Sequence, residues 1–140
     1  MDILVTAINK KIKCLLMETL FKQKWFKEGF DEYEPNVKMI KNISKYLKNY
    51  TIQIHLALYC KDVQILMPKF FKVLHDISFK NYNLNYIENG NLPYMTDKKE
   101  KITKIPTIIF YDKTNREKGR IVESLVIMPT IEGEILQIIT

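Results

Sequence analysis

The side chains of this chain best suited to covalent chemistry are two cysteines, Cys14 and Cys60, and two histidines, His55 and His75. Two cysteines cannot build a disulfide framework or a thiolate zinc site. Neither histidine has a second ligand two or four positions on, so no metal site is expected. Cys60 is the more informative thiol, because it stands between an alternating apolar segment and an amphipathic helical run that starts at Lys61. At a helix N-terminus, unpaired N–H groups and the helix dipole favour the thiolate, which is the attacking species. Lys61 adds positive charge beside it and Asp62 works against it. The competing reading is a cysteine that merely fills space as a small hydrophobe. Cys14 falls among Ile12, Leu15 and Leu16, which predicts burial and no bond to Cys60, since bridging needs Cα atoms within about 7 Å.

The elements that must position Cys60 follow from hydrophobic periodicity. From Ala7 to about Phe26 the apolar residues Ile8, Ile12, Leu15, Leu16, Met17, Leu20, Phe21 and Trp25 fall at helical spacing. Gly29 and Asp31-Glu32 close that segment. Pro35 suits the first turn of a second helix, where its missing N–H costs nothing, with Tyr33 stapling the turn. Val37, Ile40, Ile43 and Leu47 would give this helix one buried face. Thr51–Tyr59 alternates Ile52, Ile54, Leu56 and Leu58 against Gln53, His55 and Ala57, a strand expected at the centre of a sheet. After Cys60, Val63, Leu66, Met67, Phe70 and Leu74 form a helical stripe, kinked at Pro68, whose nitrogen cannot bond the Gln64 carbonyl.

Further on, Tyr82–Ile87 reads as a strand parallel to the first, joined by a right-handed crossover. Glu88–Pro93 is a loop by composition. Met95–Ile102 is expected to hold a short charged helix. Lys104-Ile105-Pro106-Thr107 leads into a third strand, Thr107–Tyr111, followed by a turn at Asp112–Asn115 and an antiparallel strand at Gly119–Glu123. Thr130 can cap a last helix, in which Ile131, Ile135, Leu136 and Ile139 face the core. The order α-α-β-α-β-(α)-β-β-α implies an α/β mixed sheet with helices on both faces.

Composition narrows the function classes. The 140 residues suit one core, with 46% apolar and 27% charged residues. No apolar stretch approaches the roughly 18 residues of a membrane span. Asp2 and Lys10, Lys11 and Lys13 spoil a signal peptide, so no membrane partner and a cytoplasmic location are expected. The net charge of +6 comes from scattered lysines, with Arg116 and Arg120 the only arginines. That pattern reads as a solvated surface, and no nucleic-acid partner is expected.

The strand, the cysteine at a helix start, the proline eight positions on, Ile105-Pro106-Thr107, the hairpin and the last helix together resemble thioredoxin. The chain is most similar to thioredoxin-like proteins whose active stretch reads Cys-x-Asp-Ser or Cys-x-Asp-Cys, here Cys60-Lys61-Asp62-Val63. Those relatives share a Glu-x-Gly-Arg-Ile-Val-Glu hairpin, here Glu117–Glu123, and a preceding helical segment, matched by Tyr33-Glu34-Pro35-Asn36. The resemblance implies a thioredoxin-like three-layer sandwich over residues 49–140, with an N-terminal helical extension over 1–48. It implies Cys60 as the attacking thiol, and Tyr59, Lys61, Asp62, Val63, Ile105, Pro106 and Thr107 as the substrate-binding surface. A cis bond at Ile105-Pro106 would lie opposite Cys60 and leave backbone groups free to pair with an extended client. Three departures matter: Tyr59 replaces a tryptophan, Lys61-Asp62 replaces Gly-Pro, and Val63 occupies the position of the resolving cysteine. The implied function is a monothiol thiol-disulfide oxidoreductase acting on client-protein or small-molecule thiols and disulfides, with no cofactor. The alternative is a redox-inactive binding module of the same fold.

Overall fold

In the computed structural model, residues 3–87, 91–96, 99–122 and 130–140 are described below. Three helices come first: α1 (Ile3–Phe21), α2 (Lys24–Glu32) and α3 (Val37–Leu47). The single helix expected from Ala7 to Phe26 is therefore two. Gln23 is extended (φ −66°, ψ 132°) and caps α2, and the polar run Lys22-Gln23-Lys24 offers neither helix an apolar contact. The break lets α2 turn its aromatic face onto a later helix. Pro35 lies just outside α3, and Asn36 is the cap, its side chain accepting from Met39 N at 3.0 Å. Val37 is 71% exposed, contrary to expectation, while Ile43 and Leu47 are fully buried. Each three-residue step drifts about 60° around a helix, so Val37 is rotated about 120° from Ile43.

Next come β1 (Thr51–Leu56), α4 (Lys61–Asp76) and β2 (Tyr82–Tyr86), then β3 (Tyr94–Met95) and β4 (Lys101–Ile102). The chain ends with β5 (Thr107–Tyr111), β6 (Glu117–Val122) and α5 (Ile131–Ile139). The main sheet has the order β2-β1-β5-β6, which makes β1 central as expected. β1 and β2 are parallel, with Ile52 opposite Tyr82, while β5 is antiparallel to both β1 and β6. Asp112 Oδ1 builds the β5–β6 turn by accepting from Thr114 N at 2.9 Å and Arg116 N at 3.1 Å. Thr130 caps α5 through Gly133 N at 3.1 Å. Glu123 and residues 88–90 of the expected strand and loop lie outside the described residues.

Where a charged helix was expected at 95–102, Met95 and residues 101–102 belong to two paired antiparallel strands instead, and residues 97 and 98 lie outside the described residues. Tyr94 faces Ile102 across β3–β4, and the turn is closed by Thr96 N to Glu100 O at 2.9 Å. That segment has only Met95 and Ile102 as apolar residues, seven apart, and Met95 stays exposed. One apolar anchor cannot hold a helix against a sheet. A sheet-facing Ile102, buried on Ile109 and Tyr111, suffices for two short strands.

The expectation of helices on both faces is corrected accordingly. Ile52, Ile54, Leu56, Ile108, Phe110 and Ile121 share one apolar cluster with buried residues of all five helices. The opposite face, carrying Gln53, His55, Asn85 and Tyr111, meets the hairpin. Among the described residues no helix is long and apolar enough to cross a membrane. The N-terminal helices are tied into the rest of the chain. Glu132 of α5 is 1% exposed, and its carboxylate accepts from the Tyr33 hydroxyl and from Asn36 N at 3.1 Å. Tyr33, expected to staple a local turn, instead reaches 99 residues along the chain.

Candidate functional site

The geometry at Cys60 begins with the end of β1. Beyond Leu56 the chain turns tightly, with Cys60 N donating to Ala57 O at 3.2 Å. Gln64 fastens the turn twice, through its side-chain amide to Leu58 O at 3.0 Å and its backbone N–H to Cys60 O at 3.1 Å. Cys60 is the N-cap of α4, with extended backbone (φ −79°, ψ 126°), and is half-buried. Because β1 and β5 are antiparallel, with His55 opposite Thr107, the start of β5 comes to the same end of the sheet. There the Cys60 thiol donates to the Ile105 carbonyl at 3.7 Å. The Ile105–Pro106 bond is cis, as expected. Pro106 and Thr107 are buried, and Thr107 Oγ1 donates to Lys104 O at 2.6 Å, which closes the loop on itself.

The other expected site residues divide by exposure. Tyr59 is 60% exposed, and Lys61 and Asp62 lie at the surface around the thiol. Ile105 is half-buried. Val63 is fully buried in the core shared by the helices and the sheet, which removes it from the expected exposed binding surface around Cys60. Cys14 is exposed, not buried. The core-facing side of α1 runs through Leu16, Met17 and Leu20, and Cys14 falls outside that stripe. Both thiols are free. Flanking Cys14, Lys13 sits 4.4 Å over the Tyr82 ring and Met17 Sδ lies 3.4 Å from the Tyr82 hydroxyl. Tyr82 is level with Ile52, the start of β1. Four residues of strand, about 13 Å, and a turn separate that level from Cys60.

Behind Cys60, α4 is buttressed by α2. Phe26 meets Phe71 with ring centroids 5.9 Å apart, and Phe30 meets His75 at 5.4 Å. Gly29 allows this approach. A Cβ there would lie 2.8 Å from Pro68 Cβ. The proline that interrupts α4 thus also forms its contact with α2.

A second set of residues went unread in the sequence. Between the polar face of the sheet and the β3–β4 hairpin lies a groove of about 810 Å³, lined in part by Gln53, His55, Asn85, Tyr94, Glu100 and Tyr111. His55 is 4% exposed and its ring nitrogen pairs with the Tyr94 hydroxyl. Burial, aided by the Arg120 charge, lowers the His55 pKa to about 4. Burial, aided by the neighbouring Glu100 carboxylate, raises the Tyr111 pKa. The signal was present in Gln53/His55 and Asn83/Asn85, polar residues in alternation on two adjacent strands. The expected helix concealed it.

No protein-family model and no curated protein matches the sequence. The fold is similar to that of a protein of unknown function from Pseudomonas aeruginosa, with a TM-score of 0.61 and 18% identity, covering 81% of this chain and 79% of that one. It is also similar to an HIV epitope-scaffold protein, with a TM-score of 0.50 and 18% identity over 71% of this chain and 60% of that one. These likenesses place the chain in an α/β fold shared with solved structures.

Proposed function

We propose that the chain is a thioredoxin-like protein, with residues 49–140 as the thioredoxin-like domain and 1–48 as its helical extension, acting as a monothiol through Cys60. The observation that carries the reading is the meeting of the Cys60 thiol, at the start of α4, with the Ile105 carbonyl at the head of β5. In the proposed reaction the Cys60 thiolate attacks one sulfur of a disulfide R–S–S–R′. The S–S bond breaks, Cys60–S–S–R forms, and R′–S⁻ leaves and takes a proton from water. Val63 holds no second sulfur and Cys14 lies toward the other end of the sheet. Release of R therefore needs an external thiolate, from a small-molecule thiol or a protein, which attacks the mixed disulfide and frees Cys60. Client-protein or small-molecule thiols are the proposed partners, in a cytoplasmic setting.

One observation favours the second reading, a binding module without redox turnover. The thiol donates to Ile105 O, and that bond needs the protonated form. The alkylation rate of Cys60 with iodoacetamide, measured against pH in a Cys14→Ser background, separates the two. The monothiol reading expects fast alkylation near pH 7 and a mixed disulfide that accumulates with a disulfide client. Val63→Cys should then raise insulin reduction well above the parent. Alkylation no faster than that of a simple thiol, with Val63→Cys also inactive, would make the binding module the better reading.

A further inference from the structure

We propose that the groove between the polar sheet face and the β3–β4 hairpin is a binding site for a small organic cation, an ammonium attached to a flat apolar body. Its volume of about 810 Å³ lies within the roughly 300–1,000 Å³ of small-molecule sites. The walls are fixed by their own hydrogen bonds. Asn85 Nδ2 donates to Gln53 Oε1 and to Ile54 O, both at 3.2 Å, and His55 pairs with Tyr94 across from the sheet to the hairpin. A site whose polar groups are already oriented loses little entropy on binding.

Charge selects the ligand class. Among the described lining residues Glu100 is the only one that carries formal charge at neutral pH, because His55 stays neutral there. Beside the groove Arg120 forms a two-pronged pair with Glu117 at 2.7 and 2.9 Å. Glu100 and Glu117 thus set two carboxylates around the Arg120 guanidinium, while Lys99 and Lys101 of the hairpin are exposed. Ile102, next to Lys101, is the residue turned to the sheet. Among the described lining residues an anion would find no cation, whereas an ammonium finds a carboxylate. The Glu100 carboxylate has about four lone-pair positions, enough to accept from a ligand while standing beside the Tyr111 hydroxyl. Tyr94 and Tyr111 line the groove with aromatic rings, which suit a flat body and favour a cation. The site is independent of the Cys60 chemistry.

Three probes of one shape test it: benzylammonium, benzyl alcohol and benzoate, titrated against the whole chain while the Met95 methyl signal is followed by NMR. Benzylammonium should give a saturable shift, at least tenfold tighter than benzyl alcohol, and benzoate should give none. Glu100→Gln should weaken benzylammonium about tenfold and leave benzyl alcohol unchanged, and Cys60→Ser should alter neither. Equal binding of the neutral probe, binding of benzoate, or no saturable benzylammonium shift up to tens of millimolar would overturn the proposal. Retention of cation affinity in a folded Glu100→Gln would also overturn it. The comparison of probes on the unaltered chain decides the matter even if that variant fails to fold.

Discussion

Gly29→Ala sets two effects of known sign against each other. Ala is the better helix former by about 1 kcal/mol in a helix interior, so propensity alone predicts stabilisation of α2. The structure predicts the reverse. The new Cβ would lie 2.8 Å from Pro68 Cβ and 3.0 Å from Pro68 Cγ. Carbon atoms prefer about 3.5–4.0 Å, so α2 and α4 must part by roughly 0.7–1 Å. Both proline atoms belong to a ring fixed on the α4 backbone and cannot rotate away. Separation also loosens the contacts of Phe26 with Phe71 and Phe30 with His75. Overpacking of this kind costs about 1–3 kcal/mol, and the upper half of that range applies to a rigid neighbour. The net expectation is a loss of about 1–2 kcal/mol, which lowers Tm by roughly 3–6 °C in a chain of this size. Gly119→Ala serves as the control. Its Cβ would meet Ile138 side-chain carbons at 3.2 Å, and that half-buried side chain can adjust, so the change should stay within about 0.5 kcal/mol. Thermal unfolding followed by circular dichroism reads both variants. A higher Tm for Gly29→Ala would refute the packing argument, because propensity would then have won.

Tyr33→Phe removes one of the hydrogen bonds to the buried Glu132 carboxylate and should cost about 1.5–3 kcal/mol in urea unfolding. An unchanged midpoint would mean that α5 does not depend on the segment before α3. His55 should make stability fall as the medium is acidified. Its folded pKa of about 4 lies below the ordinary 6.5, so between those values the unfolded chain binds the extra proton. Stability from this group is complete above about pH 6.5, falls by up to roughly 1.4 kcal/mol per pH unit on the way down, and levels off below about pH 4. His55→Gln should flatten that slope, and an unaltered pH profile in the variant would rule out His55 as the source.

Much of the frame was legible because it rests on periodicity that the core then enforces. Ile52, Ile54 and Leu56 alternate and are all fully buried, and Thr107–Tyr111 occupies the predicted positions. Thr130 and Cys60 flank their helices as their surroundings suggested. The failures share a cause, which is that local pattern does not say what a face will meet. The aromatic stripe through Trp25 and Phe26 continued the α1 spacing, yet Phe26 is needed against Phe71, and the chain breaks at Gln23 to deliver it. Cys14 sat among apolar residues on a helix whose outer side is itself apolar, with Ile8, Ile12 and Leu15 each about half exposed. The run at 95–102 had charge without a stripe, and only the tertiary position of Ile102 turned it into a hairpin. That substitution opened the groove, so the largest error in the elements and the missed polar site are one event.

The buried position of Val63 bears on the proposed chemistry more than its missing sulfur does. Three residues beyond Cys60, it lies on the side of α4 that enters the shared core with Met67 and Phe70, while Cys60 remains half-buried at the helix start. A side chain there serves packing first. Val suits that role, and a cysteine would give up roughly a methylene of burial, about 0.8 kcal/mol. The chain thus gains stability at the point where a dithiol cycle would need reactivity. On the monothiol reading, mixed-disulfide lifetime depends on the concentration of the external thiol and not on an internal step. Release should then be first order in added small-molecule thiol, and Val63→Cys should convert it to a rate independent of that thiol.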